Sequence, residues 1–223
     1  MSAVALGAGL LVAGCSAGPV KAGSAAIVGN ERITIATLDT EVTNLNQAVE
    51  RYKTNVQLTQ EQQTQQTLTW LVRFKINDEL ASQAGITVST AQAQAALAEL
   101  YAGAKANAEA QGVQNASLDL ILAANGIPPN LADELGRYQA INNAFVKQAN
   151  GGKAPTTTAE QTATGAKLQH AQCTAAKSLD IEINPQFGQM DYSQYQVVSA
   201  PSTVFRTAGP APTASPSGTA PAC

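Results

Sequence analysis

"TQEQQTQQTLTWLVRFKINDELASQAGITVST", residues 59–90, decides the fold class. Its first half looks like low-complexity polar chain, but its ends are helix signals. Thr59 followed three residues on by Gln62 is a capping-box spacing. The hydroxyl accepts from the third helical amide, and the Gln side chain reaches back to the cap. Leu68, Leu71, Val72, Ile76 and Leu80 then recur at helical spacing and lay one apolar stripe along the segment. Gly85 supplies a left-handed C-cap. The stretch predicts one long helix over 60–84 with a solvated, Gln-rich first half. A short extended link, Ile86-Thr87-Val88, leads to Ser89 and Gln92, which repeat the capping-box spacing.

Working outward, the second helix runs over about 90–111, with Leu97, Leu100 and Tyr101 apolar. A short helix is expected at 118–124. Gly126-Ile127-Pro128-Pro129 is stop-then-start punctuation. The helix over 130–149 carries Leu131, Leu135, Tyr138, Ile141, Phe145 and Val146 on one side. After the loop at 149–158, Thr158 and Gln161 give a third capping-box spacing, opening a helix to about 179. Upstream, "AAIVGNERIT" (25–34) reads as a hairpin turning at Gly29-Asn30. Thr34 then caps a helix over about 35–56, with Leu38, Val42, Leu45, Val49 and Tyr52 on its apolar face. Downstream, "LDIEINPQFG" (179–188) alternates Ile181 and Ile183 with polar residues, a short strand expected to pair with the hairpin in a minor sheet.

The composition agrees. The chain has 223 residues, is 44% hydrophobic and only 4% aromatic, and is rich in Ala, Thr and Gln. Ala and Gln lose little side-chain entropy in a helix. The expected fold is mainly α, one helical domain over 25–192 with a short N-terminal hairpin and a C-terminal helix plus short strand. From 193 to 223 the chain turns Pro/Ser/Thr/Ala-rich, with half of the ten prolines beyond residue 200, a composition of disordered or polyproline-like tails. Net charge is −3, without a basic block of the kind that tracks nucleic acid, so no nucleic-acid partner is expected.

"LLVAGCSAGP" (10–19) says where the chain lives. Residues 1–20 carry no charged side chain, yet Gly7, Gly9, Gly14, Gly18 and Pro19 make a poor spanning helix. Val12-Ala13-Gly14-Cys15 looks like a bacterial lipobox: small residues that fit a signal peptidase cleft, then a thiol that accepts a diacylglyceryl thioether. The expected organisation is a signal peptide over 1–14, lipidation at Cys15 and a tether over 15–24. Acyl chains on Cys15 would anchor the protein on the outer face of the cell membrane. Signal peptides begin with positive charge; here none precedes Lys21, so a start further upstream is expected. The competing reading is a buried cysteine in an apolar segment.

With Cys15 consumed, Cys173 and Cys223 remain, a pair that an exported protein could join as one disulfide. Two unrelated thiols are the alternative.

No catalytic constellation is visible. His170 is the single histidine, mid-helix and without companions for a metal site. Asp78-Glu79 and Asp133-Glu134 are adjacent carboxylates, which on a helix point in different directions and read as solvated faces. "NGGK" lacks P-loop spacing. No cofactor and no metal are expected.

Three stretches carry a resemblance. "AAIVGNERITIATLD" (25–39), "LVRFKINDELASQAGITVSTAQAQAAL" (71–97) and "AAKSLDIEINPQFGQMDY" (175–192) resemble the N-terminal chaperone domain of SurA-like proteins, the family that includes PrsA-type lipoprotein foldases. The last is similar to a closing Asn-Pro-Arg-(Phe/Tyr)-Gly motif, with Gln186 in place of Arg. The parvulin isomerase domain that family members insert before the closing helix has no counterpart here. The resemblance therefore implies a non-enzymatic, chaperone-like lipoprotein that cradles unfolded or newly exported polypeptides in a helical groove. Trp70, Phe74, Tyr101, Tyr138 and Phe145 are the candidates to line it, against the plainer reading that each is core. The alternative function is a structural lipoprotein binding one dedicated envelope partner.

Overall fold

The computed structural model describes residues 22–53 and 58–200. It opens with an antiparallel hairpin of β1 (Ser24–Val28) and β2 (Glu31–Thr34). Gly29 takes the first turn position at φ 58°, where a two-residue hairpin turn favours glycine. Then come α1 (Ile35–Tyr52), α2 (Gln60–Ala84), α3 (Thr90–Ala110), α4 (Leu118–Ala124), a 3-10 turn (Pro129–Leu131), α5 (Ala132–Ala149) and α6 (Thr158–Ser178). Three short strands close the described chain: β3 (Ile181–Ile183), β4 (Gln189–Asp191) and β5 (Gln196–Val198). The fold is mainly α.

The helix ends follow the sequence signals closely. Thr34 Oγ1 accepts from Thr37 N (2.9 Å). Both arms of the Thr59 and Ser89 capping boxes form. Gly85 caps α2 at φ 64°. The third box forms one residue earlier than its spacing predicts, with Thr157 as the cap and Glu160 in the third position. The Glu160 carboxylate accepts from the backbone of Thr156 (2.7 Å) and Thr157 (3.0 Å). A carboxylate at a helix N-terminus is a stronger acceptor than the Gln161 amide and faces the favourable end of the helix dipole. Those backbone bonds hold Glu160 below its ordinary pKa.

Three boundaries also move. α1 ends at Tyr52, because Lys53 turns left-handed at φ 48°. The folded region also passes residue 192. Val197 of β5 is buried, and its amide donates to Thr69 Oγ1 on α2 (2.8 Å). Ser24, expected in the tether, is fully buried in β1. The signal, lipobox and remaining tether lie outside the described residues, as does the tail from 201.

β3 joins the free edge of β1, giving a sheet of order β2-β1-β3, while β4 and β5 form a separate pair. α2 runs between two apolar clusters. On one side Leu68, Val72, Ile76 and Leu80 meet β1, α1, α6 and β3. On the other, Phe74 meets Leu122, Ile127, Leu131 and Leu135. α3 docks on α5 through Gly136, where a Cβ would come within 2.7 Å of the Ala93 carbonyl oxygen. Gly103, on the same helix α3, has open space around it.

This contrast gives opposite expectations for the same chemical change. Gly136→Ala should destabilise the chain by about 1–3 kcal/mol through overpacking. Gly103→Ala should stabilise it by up to about 1 kcal/mol through helix propensity. Urea denaturation of both variants checks the seam; equal shifts in one direction would contradict the α3–α5 packing.

Candidate functional site

Three of the five candidate groove residues come together at the α2–α5 seam. Trp70 and Phe74 lie one turn apart on α2, ring centroids 5.9 Å apart. Tyr138 of α5 meets each at 6.0 Å, edge-on to Trp70. Phe74 is 8% exposed and belongs to the second cluster, and the half-buried Trp70 and Tyr138 pack against that cluster. Tyr101 and Phe145 do not join them. The Tyr101 hydroxyl donates to the Ala116 carbonyl (2.8 Å), and Phe145 packs against the first cluster. Of the five, Phe74 is buried and the other four are half-buried.

Arg73 ties the seam to the second hairpin. Its guanidinium lies 5.3 Å from the Trp70 ring centroid. Nε donates to the Tyr195 carbonyl (2.7 Å) and Nη2 to that of Gln194 (3.1 Å). Burial pushes the Arg73 pKa down from its ordinary value, and Tyr138 opposes that in part. Tyr195 sits at φ 51°, an uncommon conformation for a bulky side chain. Its hydroxyl donates to the Gln169 carbonyl on α6 (2.6 Å). Asp191 accepts from the Ser193 amide and hydroxyl (2.8 and 2.6 Å), which holds its carboxylate below the usual range.

The open surface lies elsewhere. A trough of about 890 Å³ runs between the end of α1, the start of α2, the second half of α3 and α4. Leu58, Val113, Leu120 and Ile121 give it an apolar lining, with alanines between them. Gln66, Asn107, Gln111 and Asn125 add carboxamides, and Lys53 is the one charged residue among those that line it. At one end Gln66 Nε2 donates to the Asn125 carbonyl (2.7 Å) and packs over Gly126, which sits at φ 68°. Val113 is 43% exposed at the trough. Carboxamides offer both donors and acceptors, so such a surface can satisfy peptide groups while apolar patches take side chains. The alanines spread along α3 gave no sequence signal for it.

The other candidates are placed plainly. His170 is exposed on α6. Asp78 pairs with Arg137 (2.9 Å), and Glu79 accepts from Gln83 (2.8 Å). Asp133 and Glu134 are exposed in the first turn of α5. Among the described residues no three His, Cys, Asp or Glu gather to hold a metal. Cys173 is 2% exposed and disulfide-bonded; Cys15 and Cys223 lie outside the described residues. No described helix is long and apolar enough to cross a membrane.

No family model matches the chain, and no match was found among curated proteins or solved structures.

The Arg73 clamp predicts a local effect. Arg73→Ala should cost about 1–3 kcal/mol, since it removes charged hydrogen bonds and leaves the carbonyl of half-buried Tyr195 without its donor. Amide exchange at Val197 should accelerate more than at the α2 core. Arg73→Lys should recover little, because an ammonium cannot fork to both carbonyls and lie on Trp70. Uniform acceleration across the domain in Arg73→Ala would rule out a hairpin-specific clamp.

Proposed function

We propose that this chain is a membrane-anchored, extracytoplasmic chaperone-like lipoprotein that holds unfolded or newly exported polypeptides without isomerase activity. The observation that carries this reading is the trough, large, open, nearly uncharged, and lined by apolar and carboxamide side chains. Apolar burial is non-directional, and carboxamides pair with any peptide backbone, so such a surface favours extended chains of mixed sequence. The three SurA-like segments and the lipobox-like Val12-Ala13-Gly14-Cys15 support the same reading. The connection between α5 and α6, residues 150–157, is a short loop, which supports a module without an inserted catalytic domain.

The test is suppression of aggregation of an unfolded exported protein by the full chain carrying Cys15→Ser, with proline-limited refolding run in parallel. Suppression at stoichiometric levels without faster refolding is the expected result. Val113→Asp, which places a charge at the trough, should weaken suppression about tenfold, the loss of roughly one buried valine. No suppression by the parent chain would move the reading to a dedicated envelope partner. Capture of one stable partner from membranes, in place of a mixed set of clients, would show that alternative.

The anchor is tested separately. One sulfur cannot be both a thioether and half of a disulfide, so the proposed lipid on Cys15 requires the Cys173 disulfide to use Cys223. A non-reducing digest of the chain exported in a bacterial host should yield a Cys173–Cys223 peptide and an acylated Cys15 peptide. A Cys15–Cys173 peptide would defeat the anchor while leaving the trough untouched.

A further inference from the structure

The last described residues lie beside the trough. Past β5, Ser199 Oγ donates to Glu61 Oε1 (2.9 Å) and accepts from Gln65 Nε2 (3.1 Å), which holds it on the first turns of α2. Gln66, the next residue along, lines the trough and bonds to the Asn125 carbonyl after α4 (2.7 Å). Successive helix residues point about 100° apart, and a helix with its side chains is about 10–12 Å across. The chain beyond Ala200 therefore sets out about a quarter-turn round α2 from the trough wall.

Residues 201–223 read "PSTVFRTAGPAPTASPSGTAPAC". Val204 and Phe205 are the large apolar residues of that stretch, and Arg206 is its one charge. An extended, proline-rich chain advances about 3.1 Å per residue, so the steps from Ala200 carry Phe205 about 15 Å, more than the width of α2. The trough suits such a segment. It is apolar, and Tyr52 is the one aromatic among its lining residues, so its volume of about 890 Å³ takes a ring from outside. Prolines carry no amide hydrogen, so the segment presents more backbone acceptors than donors. Asn107 and Gln111, both exposed, line the trough with carboxamide donors. Lys53 and Arg206, the one charge on each side, are both cations, so the match is apolar and peptide-like, not ionic.

We propose that residues 203–207, centred on Phe205, occupy the trough where α2 meets α4, as an intramolecular stand-in that a client must displace. The inference rests on the reading of the trough as a polypeptide-holding surface. Shallow contacts bind any one segment weakly, but a segment tethered beside the site is present at about millimolar effective concentration. With a Kd of about 0.1 mM it would lower the apparent affinity for clients about tenfold. The stretch from Phe205 to Cys223 extends to about 55 Å, longer than α2 itself at about 38 Å, so the docked segment leaves Cys223 within reach of Cys173 on α6.

The experiment is photo-cross-linking of the full chain carrying Cys15→Ser, with p-benzoylphenylalanine in place of Phe205, irradiated without client. Mixing isotope-labelled and unlabelled chains separates cross-links within a chain from those between chains. Cross-links within the chain to peptides spanning 58–66 and 118–126 are the expected result. Cross-links only to other parts of the fold, none at all, or only between chains would each overturn the proposal, the last by making the occupant a second copy. A measurement without the bulky probe is the methyl spectrum of Phe205→Asp, a substitution beyond β5. The Leu58 and Ile121 signals should shift from those of the parent; unchanged signals would overturn the proposal. Both readouts decide it whether or not clients are held. The cross-link without suppression of aggregation removes the holding activity alone, and suppression without the cross-link removes the docked segment alone. In a chain that holds clients, Phe205→Asp should raise their affinity about tenfold, and an unchanged affinity would overturn the competition.

Discussion

The structure depends on one helix being buried on two sides. α2 presents Leu68, Val72, Ile76 and Leu80 to the sheet, α1 and α6, and presents Phe74 with Trp70 and Leu71 to α4 and α5. A helix used this way has little surface left for its polar residues, so each must be satisfied locally or by a distant partner. Arg73 reaches the β4–β5 turn, Lys75 reaches Glu31, and Asp78 reaches Arg137. Thr69 takes the Val197 amide. The polar groups of α2 thus position the small elements around it. The Asn77 carbonyl oxygen and the Thr67 hydroxyl are left over from that arrangement, buried without a partner.

The sheet closes the domain by joining residues far apart in sequence. β3 pairs with β1 through Ala26 and Ile183, and Asn184 adds two bonds, to the carbonyls of Ala25 (2.9 Å) and Ser24 (3.0 Å). The same Asn184 turns the chain, accepting from the Gln186 amide at its side chain (3.1 Å) and from Phe187 at its carbonyl (2.8 Å). Gly188 follows at φ 133°, pressed against the Val198 carbonyl. The turn is built from Asn184, Phe187 and Gly188. Position 186 contributes its backbone amide and is exposed.

This division explains what could be read in the sequence. Capping boxes and apolar stripes are local, and α2, α3 and α4 lie where those signals put them. The start of α6 slipped by one residue because three consecutive threonines offer equivalent hydroxyls, and only the carboxylate of Glu160 selects among them. β5 was hidden for the opposite reason. "QVV" (196–198) is short and borders Ser- and Pro-rich chain, and its burial depends on Thr69 and Arg73, more than a hundred residues away. The trough was hidden as well, because alanines at helical spacing look the same whether they pack or stay open.

The aromatic residues decide what kind of binding surface remains. Trp70, Phe74 and Tyr138 are committed to one another, Phe145 to the first cluster, and Tyr101 to the Ala116 carbonyl. Tyr52 is the one aromatic among the residues that line the trough, so the trough offers few of the deep, rigid pockets that concentrate binding energy in a few anchors. Alanine, valine and leucine side chains give shallow apolar contact, and Gln66, Asn107, Gln111 and Asn125 give contact to any peptide bond. Affinity must then accumulate over many weak contacts along a chain, which favours an extended polypeptide over a compact ligand.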